Sequence, residues 1–254
     1  TELSDGVLSL NVTASDYLGN KKELSPVLFY KDTTAPKFGE NTISTEKTAE
    51  GWYKNSTLSL SVNVSDTETG ISRVTYKVGD GSENTLTPGT GDNEGIYSSE
   101  NVVCAEGENT ITITATNKAG LSSEITISDI KVDTTSPTVS SPETSSSLVN
   151  KTALNEESFT GLAITSTVKD AGSGVAMVWL GTGISETYET ASYKASLTSE
   201  QTSESRIDGY AASLRIPKSA LTDADGIHTY YLFAQDETGR TTVSSPVQFT
   251  VDTT

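Results

Sequence analysis

One phrase recurs three times along this chain. It reads Lys31-Asp32-Thr33-Thr34-Ala35-Pro36, then Val132-Asp133-Thr134-Thr135-Ser136-Pro137, then Val251-Asp252-Thr253-Thr254. The aspartates are spaced by 101 and 119 residues. Sixteen residues before each stands an Asp/Asn-x-x-Gly motif: Asp16 to Gly19, Asn117 to Gly120, Asp236 to Gly239. Ten residues further upstream lie Gly6, Gly107 and Gly226. Three constant offsets in one chain mark tandem structural units, and this restricts the fold more than any single residue does.

Between the glycine and the Asp/Asn the chain alternates. Leu10, Val12 and Ala14 correspond to Ile111, Ile113 and Ala115, and to Tyr230, Leu232 and Ala234. A period of two predicts half-buried strands. A second short strand follows each Asp/Asn-x-x-Gly turn, so each unit closes with a β-hairpin that runs into the Asp-Thr-Thr phrase. Earlier in the units, residues 60–78 match residues 164–182. Each is a strand, then Asp66 or Asp170, then Gly70 or Gly174, then an apolar residue opening another strand. Reading this as Asp-x-x-x-Gly-[Ile/Val]-x-x-Val-x-[Tyr/Trp] sets Trp179 opposite Tyr76.

Units of about 100 residues with some seven short strands have the size of a β-sandwich. The expected fold is therefore all-β, with tandem sandwich domains arranged end to end. One repeat is expected at 33–133 and another at 134–252, the second enlarged in its middle. Residues 1–32 are too few to enclose a core and read as the closing hairpin of a truncated repeat.

The formal net charge is −17, from 34 acidic and 17 basic residues. Nucleic acid and anionic membrane surfaces would be repelled by such a chain, whereas divalent cations would be attracted. Cys104 is the only cysteine, which excludes an internal disulfide and a cysteine-rich zinc site; it is expected to pack as a small apolar residue. No apolar run approaches the ~20 residues of a membrane helix, so no membrane insertion is expected in this segment.

The stretch from Gly51 to Val78, with the Asn117 to Gly120 turn and the Asp133 to Pro137 phrase, resembles bacterial immunoglobulin-like repeats. The telling residues are Trp52, Tyr53, Asp66, Gly70, Asn117 and Gly120. The resemblance implies an Ig-like sandwich and an extracellular, cell-surface location in a large adhesin, with neighbouring repeats of the same chain as partners. The last repeat departs at its start, where no Gly-Trp-Tyr occurs, and this leaves its early strand pairing open.

In such a sandwich the loops after the second and sixth strands lie at the pole where the domain begins. For 33–133 this gathers Asp32, Asp66, Glu68 and Asn117. For 134–252 it gathers Asp133, Asp170, Asp236 and Glu237. Clustered carboxylates repel one another unless neutralised, and calcium accepts six to eight oxygens in irregular geometry. Calcium is thus a candidate cofactor, with the tighter site at Asp133, Asp170 and Asp236 because Asn117 is neutral. In giant adhesins that these repeats resemble, such carboxylates bind calcium and stiffen the rod. The alternative is that each aspartate only caps its own turn.

No catalytic residues stand out. His228 is the only histidine and has no Gly-x-Ser-x-Gly nearby; no phosphate loop or dinucleotide fingerprint occurs. The sequence favours a non-catalytic stalk, with a glycan- or protein-binding module, or a spacer of a secreted polysaccharide-degrading enzyme, as the other readings. A host glycan or protein ligand would fall to the Tyr/Ser-rich region 183–215. Trp179 is expected in the sandwich core, and Trp52 is expected to pack rather than stack on a sugar.

Overall fold

The computed structural model describes residues 3–254. The chain falls into two compact units. The first comprises the residues up to Glu46 with Ser56–Ile130, the second Lys47–Asn55 with Lys131–Thr254.

The first unit opens with strands β1 (Gly6–Leu10), β2 (Thr13–Ser15), β3 (Lys21–Glu23) and β4 (Val27–Lys31). They form one hairpin, β1 against β4 and β2 against β3. Its tip is the first Asp-x-x-Gly turn: Asp16 Oδ1 accepts from Leu18 N and Asn20 N, both at 2.9 Å. Leu10, Val12, Leu28, Phe29 and Tyr30 of this hairpin are exposed, although Ile111 and Ile113, the counterparts of Leu10 and Val12, are fully buried.

Next come β5 (Lys37–Ile43), β6 (Trp52–Tyr53), β7 (Thr57–Ser65), β8 (Ile71–Val78), β9 (Asn84–Thr85), β10 (Thr87–Pro88), β11 (Ile96–Val103), β12 (Gly107–Asn117) and β13 (Ser122–Val132). They build two sheets, ordered β10-β11-β7-β5 and β6-β13-β12-β8-β9. Strand β6 and the last two residues of β13, which pair in parallel, group with the second unit. With β7 beside β11 in one sheet and β8 beside β12 in the other, this is the immunoglobulin arrangement. Alternation made the core legible: Leu58, Leu60, Val62 and Val64 of β7 face Val74, Ile111, Ile113 and Ala115, all at most 1 % exposed. Cys104 is buried as expected, and burial raises its thiol pKa.

The second unit repeats the plan with β14 (Thr138–Val139), β15 (Glu143–Thr144), β16 (Leu148–Asn150), helix α1 (Lys151–Asn155), β17 (Gly161–Lys169), β18 (Val175–Gly181), β19 (Tyr193–Ser196), helix α2 (Ser199–Ile207), β20 (Tyr210–Pro217), β21 (Gly226–Asp236), β22 (Thr241–Val243) and β23 (Val247–Asp252). β17 lies between β20 and the short β14 and β15, and the other sheet runs β16-β23-β21-β18-β19 with β22 also on β21. The absence of Gly-Trp-Tyr does not alter the early pairing. β16 joins β23 in parallel with Val149 opposite Val251, as Tyr53 of β6 lies opposite Val132.

Two features differ from the sequence reading. Tyr76 opposes Ile113, and the residue opposing the equivalent Leu232 is Leu180, not Trp179. The pattern that paired Trp179 with Tyr76 is one residue out of register, and one residue reverses the face. Trp179 therefore lies outside the main core. It stacks on Phe233 with ring centroids 5.0 Å apart, meets Tyr188 edge-on at 5.9 Å, and donates from Nε1 to Glu186 O at 3.1 Å. The 182–192 segment covers it. Region 183–215 also contains α2, whose N-terminus is a capping box between Thr198 and Gln201. Ser205 of that helix is fully buried; its Oγ accepts from Val175 N at 2.8 Å and donates to Thr202 O at 2.6 Å.

Candidate metal centre

The recurring phrase is a self-closing turn. In each copy one carboxylate oxygen, Oδ1, accepts from the backbone N–H and the hydroxyl of the second threonine. The distances are 2.8 and 3.0 Å from Thr34 to Asp32, 3.1 and 3.2 Å from Thr135 to Asp133, and 3.3 and 3.0 Å from Thr254 to Asp252. This is the local side-chain-to-backbone bonding that aspartate and threonine favour at turns. The first threonine is pinned from the preceding hairpin. Asp5 Oδ2 accepts from Thr33 N and Oγ1, and Asp225 Oδ1 accepts from Thr253 N and Oγ1. Lys31 also pairs with Asp5 at 2.5 Å and, together with the Thr33 hydroxyl, holds its pKa at about 2. The acidic residue just before Gly6 and before Gly226 thus belongs to the motif, a signal that sequence reasoning passed over.

With Oδ1 committed to the turn, the other oxygen of Asp32 and of Asp133 faces its unit's pole. In the first unit Asp32 Oδ2 accepts from Thr69 Oγ1 at 2.6 Å and from Asn117 Nδ2 at 2.7 Å. Asn117 Nδ2 also reaches Thr34 O at 3.0 Å and Asp66 Oδ2 at 3.2 Å, while its Oδ1 accepts from Leu121 N at 2.8 Å. Asp66 Oδ1 caps the loop, accepting from Thr69 N and Gly70 N, both at 2.9 Å. Burial opposes ionisation of Asp66, but these bonds and that from Asn117 outweigh it and hold its pKa below the ordinary value. Asp32, Asp66 and Glu68 each place one oxygen within 4.8 Å of the others, and all three are half-buried.

In the second unit Asp133 Oδ2 accepts from Ser173 N at 2.8 Å and from Ser173 Oγ. Asp170 Oδ2 accepts from Gly174 N at 2.7 Å. Asp236 Oδ1 accepts from Thr238 Oγ1 at 2.8 Å and Arg240 N at 2.9 Å, as Asn117 Oδ1 does from Leu121 N. Its Oδ2 is buried and has no hydrogen-bond partner among the described residues. Asp133, Asp170 and Asp236 are 0, 3 and 2 % exposed, with one oxygen of each within 4.8 Å of the others. Gly172 makes this closeness possible: a Cβ there would come 2.5 Å from Asp133 Cγ. Arg240 sits beside the cluster without neutralising it through a charged pair, since Nη1 donates to Asp133 O and Thr238 Oγ1 and Nη2 to Lys54 O. Burial, aided by the Asp133 charge, raises the Asp236 pKa against the bonds from Arg240 N and Thr238.

The folding thus gathers Asp32, Asp66, Glu68 and Asn117 within the first unit, and Asp133, Asp170 and Asp236 within the second. Asn117 enters as a donor rather than a ligand. Glu237 is not among the clustered carboxylates; it lines a neighbouring cleft with Glu50, Trp52 and Arg206, where burial, then Glu50 and Asp236, raise its pKa. Trp52 is buried beneath the Arg206 guanidinium at 5.1 Å, a packing position. Carboxylates and hydroxyls, all hard oxygen donors around an unpaired buried oxygen, fit a calcium-like ion at the second pole. Asp133, Asp170 and Asp236 are the residues that would hold it. No helix among the described residues is long and apolar enough to cross a membrane.

No protein-family model matches this chain, and no curated protein matches it. Among solved structures, the chain is similar to a tetra-tandem repeat from the extending region of a large adhesion protein, at 17 % identity and a TM-score of 0.38, covering 98 % of this chain and 57 % of that one. It is also similar to a 1.5-MDa bacterial ice-binding adhesin, at 17 % identity, TM-score 0.40, and 98 and 75 % coverage. A third is a Ca2+-stabilised ice-binding adhesin of an Antarctic bacterium, at 17 % identity, TM-score 0.34, and 98 and 57 % coverage. This chain spans little more than half the length of the first and third.

Proposed function

We propose that this chain is a non-catalytic, extracellular stalk segment of a bacterial cell-surface adhesin. In it, calcium bound by Asp133, Asp170 and Asp236 holds the entry of a repeat against that repeat's own loops. Repeats run 33–133 and 134–252, and residues 1–32 are the closing hairpin of another. The exposed Leu10 and Val12, whose counterparts are core residues, support that reading of the hairpin. The acidic residues recur at equivalent loop positions, which suits a repeated mechanical role better than a single catalytic cleft. A linker aspartate tied into its unit by one oxygen and into its own turn by the other leaves the chain little freedom to act as a loose tether.

The observation that carries the calcium reading is the buried, unpartnered Asp236 Oδ2 beside two further buried carboxylates. An unpaired buried charge is costly, and a bound cation removes that cost. Calorimetry on EDTA-stripped protein tests it. A saturable heat and a raised melting temperature are expected; neither at millimolar calcium removes calcium from the account.

A further inference from the structure

Asn117 and Asp236 occupy the same place in the two units, sixteen residues before Asp133 and Asp252 and at the head of the same turn. Their Oδ1 atoms do the same work, accepting from the N–H four residues on. Their second atoms differ only in being nitrogen or oxygen, and there the environments diverge. Asn117 Nδ2 touches three acceptors: Asp32 Oδ2, Thr34 O and Asp66 Oδ2. Asp236 Oδ2 has none of the donors that such a position needs.

We propose that the Asn117 amide nitrogen is a built-in substitute for the cation, so that the first unit's pole closes without metal while the second's requires one. The inference rests on the calcium reading of Asp133, Asp170 and Asp236 and adds that one atom at this position decides which units answer to calcium. An amide NH2 directs two N–H bonds at oxygens that would otherwise converge on a positive ion. The surrounding charge follows the same division. The residue after Asn117 is Lys118, whose ammonium lies 3.6 Å from where a Gly70 Cβ would be, whereas the residue after Asp236 is Glu237. The third carboxylate of the first pole, Glu68, is half-exposed and accepts from Thr67 Oγ1 at 2.9 Å, so water and that hydroxyl solvate it. At the second pole Gly172 stands where Glu68 stands at the first, and the third carboxylate is the buried Asp236.

The test uses the whole chain, stripped with EDTA and titrated with calcium chloride in a calorimeter. The wild type is expected to bind one ion, Asn117→Asp two, and Asp236→Asn none. Two ions in the wild type, one ion in a folded Asn117→Asp protein, or an ion retained by Asp236→Asn would each overturn the proposal. No ion in the wild type but one in Asn117→Asp would remove calcium from the second pole while upholding the role of the amide. Should Asn117→Asp fail to fold, the wild type still decides. The two Asn117 side-chain NH resonances should exchange slowly and stay in place on calcium saturation, while the backbone amides of Ser173, Gly174 and Arg240 shift. Movement of the Asn117 pair comparable to theirs would show metal entering the first pole.

Discussion

In the absence of divalent ions, acidification should stabilise the second unit. Asp236 is the deeply buried group responsible, with Glu237 acting in the same direction and the exposed Asp225 and Glu189 in the opposite one. Burial and the nearby Asp133 charge raise its folded pKa above the ordinary 3.8, so the folded state holds the proton more tightly than the unfolded chain. The resulting stabilisation is complete below 3.8 and is lost as pH rises through the folded value. Within that window stability changes by at most about 1.4 kcal/mol per pH unit for one proton. For a domain of this size that is a rise of at most about 4–7 °C in Tm per pH unit, confined to the interval between the folded value and 3.8. The reporter is intrinsic: the two tryptophans, Trp52 and Trp179, both lie in the second unit, so fluorescence-detected melting follows it. With saturating calcium the trend should reverse, because protons then compete with the ion. Asp236→Asn should weaken the dependence in EDTA, leaving the smaller part due to Glu237. Asp66, whose pKa is lowered, acts oppositely in the first unit, contributing stability above 3.8 that is lost as pH falls through its folded value. A fluorescence Tm in EDTA that falls steadily from pH 7 to 4, in wild type and Asp236→Asn alike, would refute this account of the cluster.

Gly172→Ala places a methyl group 2.5 Å from Asp133 Cγ. It should lower calcium affinity at least tenfold, about 1.4 kcal/mol, read by calorimetry, while the far-UV spectrum is retained. Trp179→Ala should cost about 3 kcal/mol, at the lower end for a buried tryptophan, because a surface segment can settle into the space. Hydrogen exchange should quicken in residues 182–192 and remain slow in β17 and β21; uniform quickening would place Trp179 in the main core after all.

The parts of the fold that sequence revealed are those with local causes. Period-two alternation in β7 and β12 reflects one buried face, and the Asp/Asn-x-x-Gly turns and Asp-Thr-Thr phrases close on themselves within four residues. Matching aromatic to aromatic misplaces Trp179, because it overrides the strand's parity, which Val178 and Leu180 carry. Helix α2 left no periodic trace, since its buried side chains are Thr202 and Ser205 rather than an apolar stripe; the Thr198/Gln201 capping box was its visible sign. The convergence of Asp133, Asp170 and Asp236 followed from topology once repeats were recognised. Whether Asn117 accepts or donates did not follow, because that is set by which side of the amide faces Asp32. Glu237 follows Asp236 at the end of β21, but consecutive residues leave a strand end in different directions.

The linker aspartate divides its labour between two oxygens. One shapes the bend, and it does so at Asp252 as at Asp32 and Asp133, from partners within two residues. The other takes whatever the neighbouring loop offers. If the proposed calcium reading holds, an array of such repeats would have its ionic sensitivity edited one repeat at a time, by exchanging a single loop side chain, while the geometry of every bend is left alone.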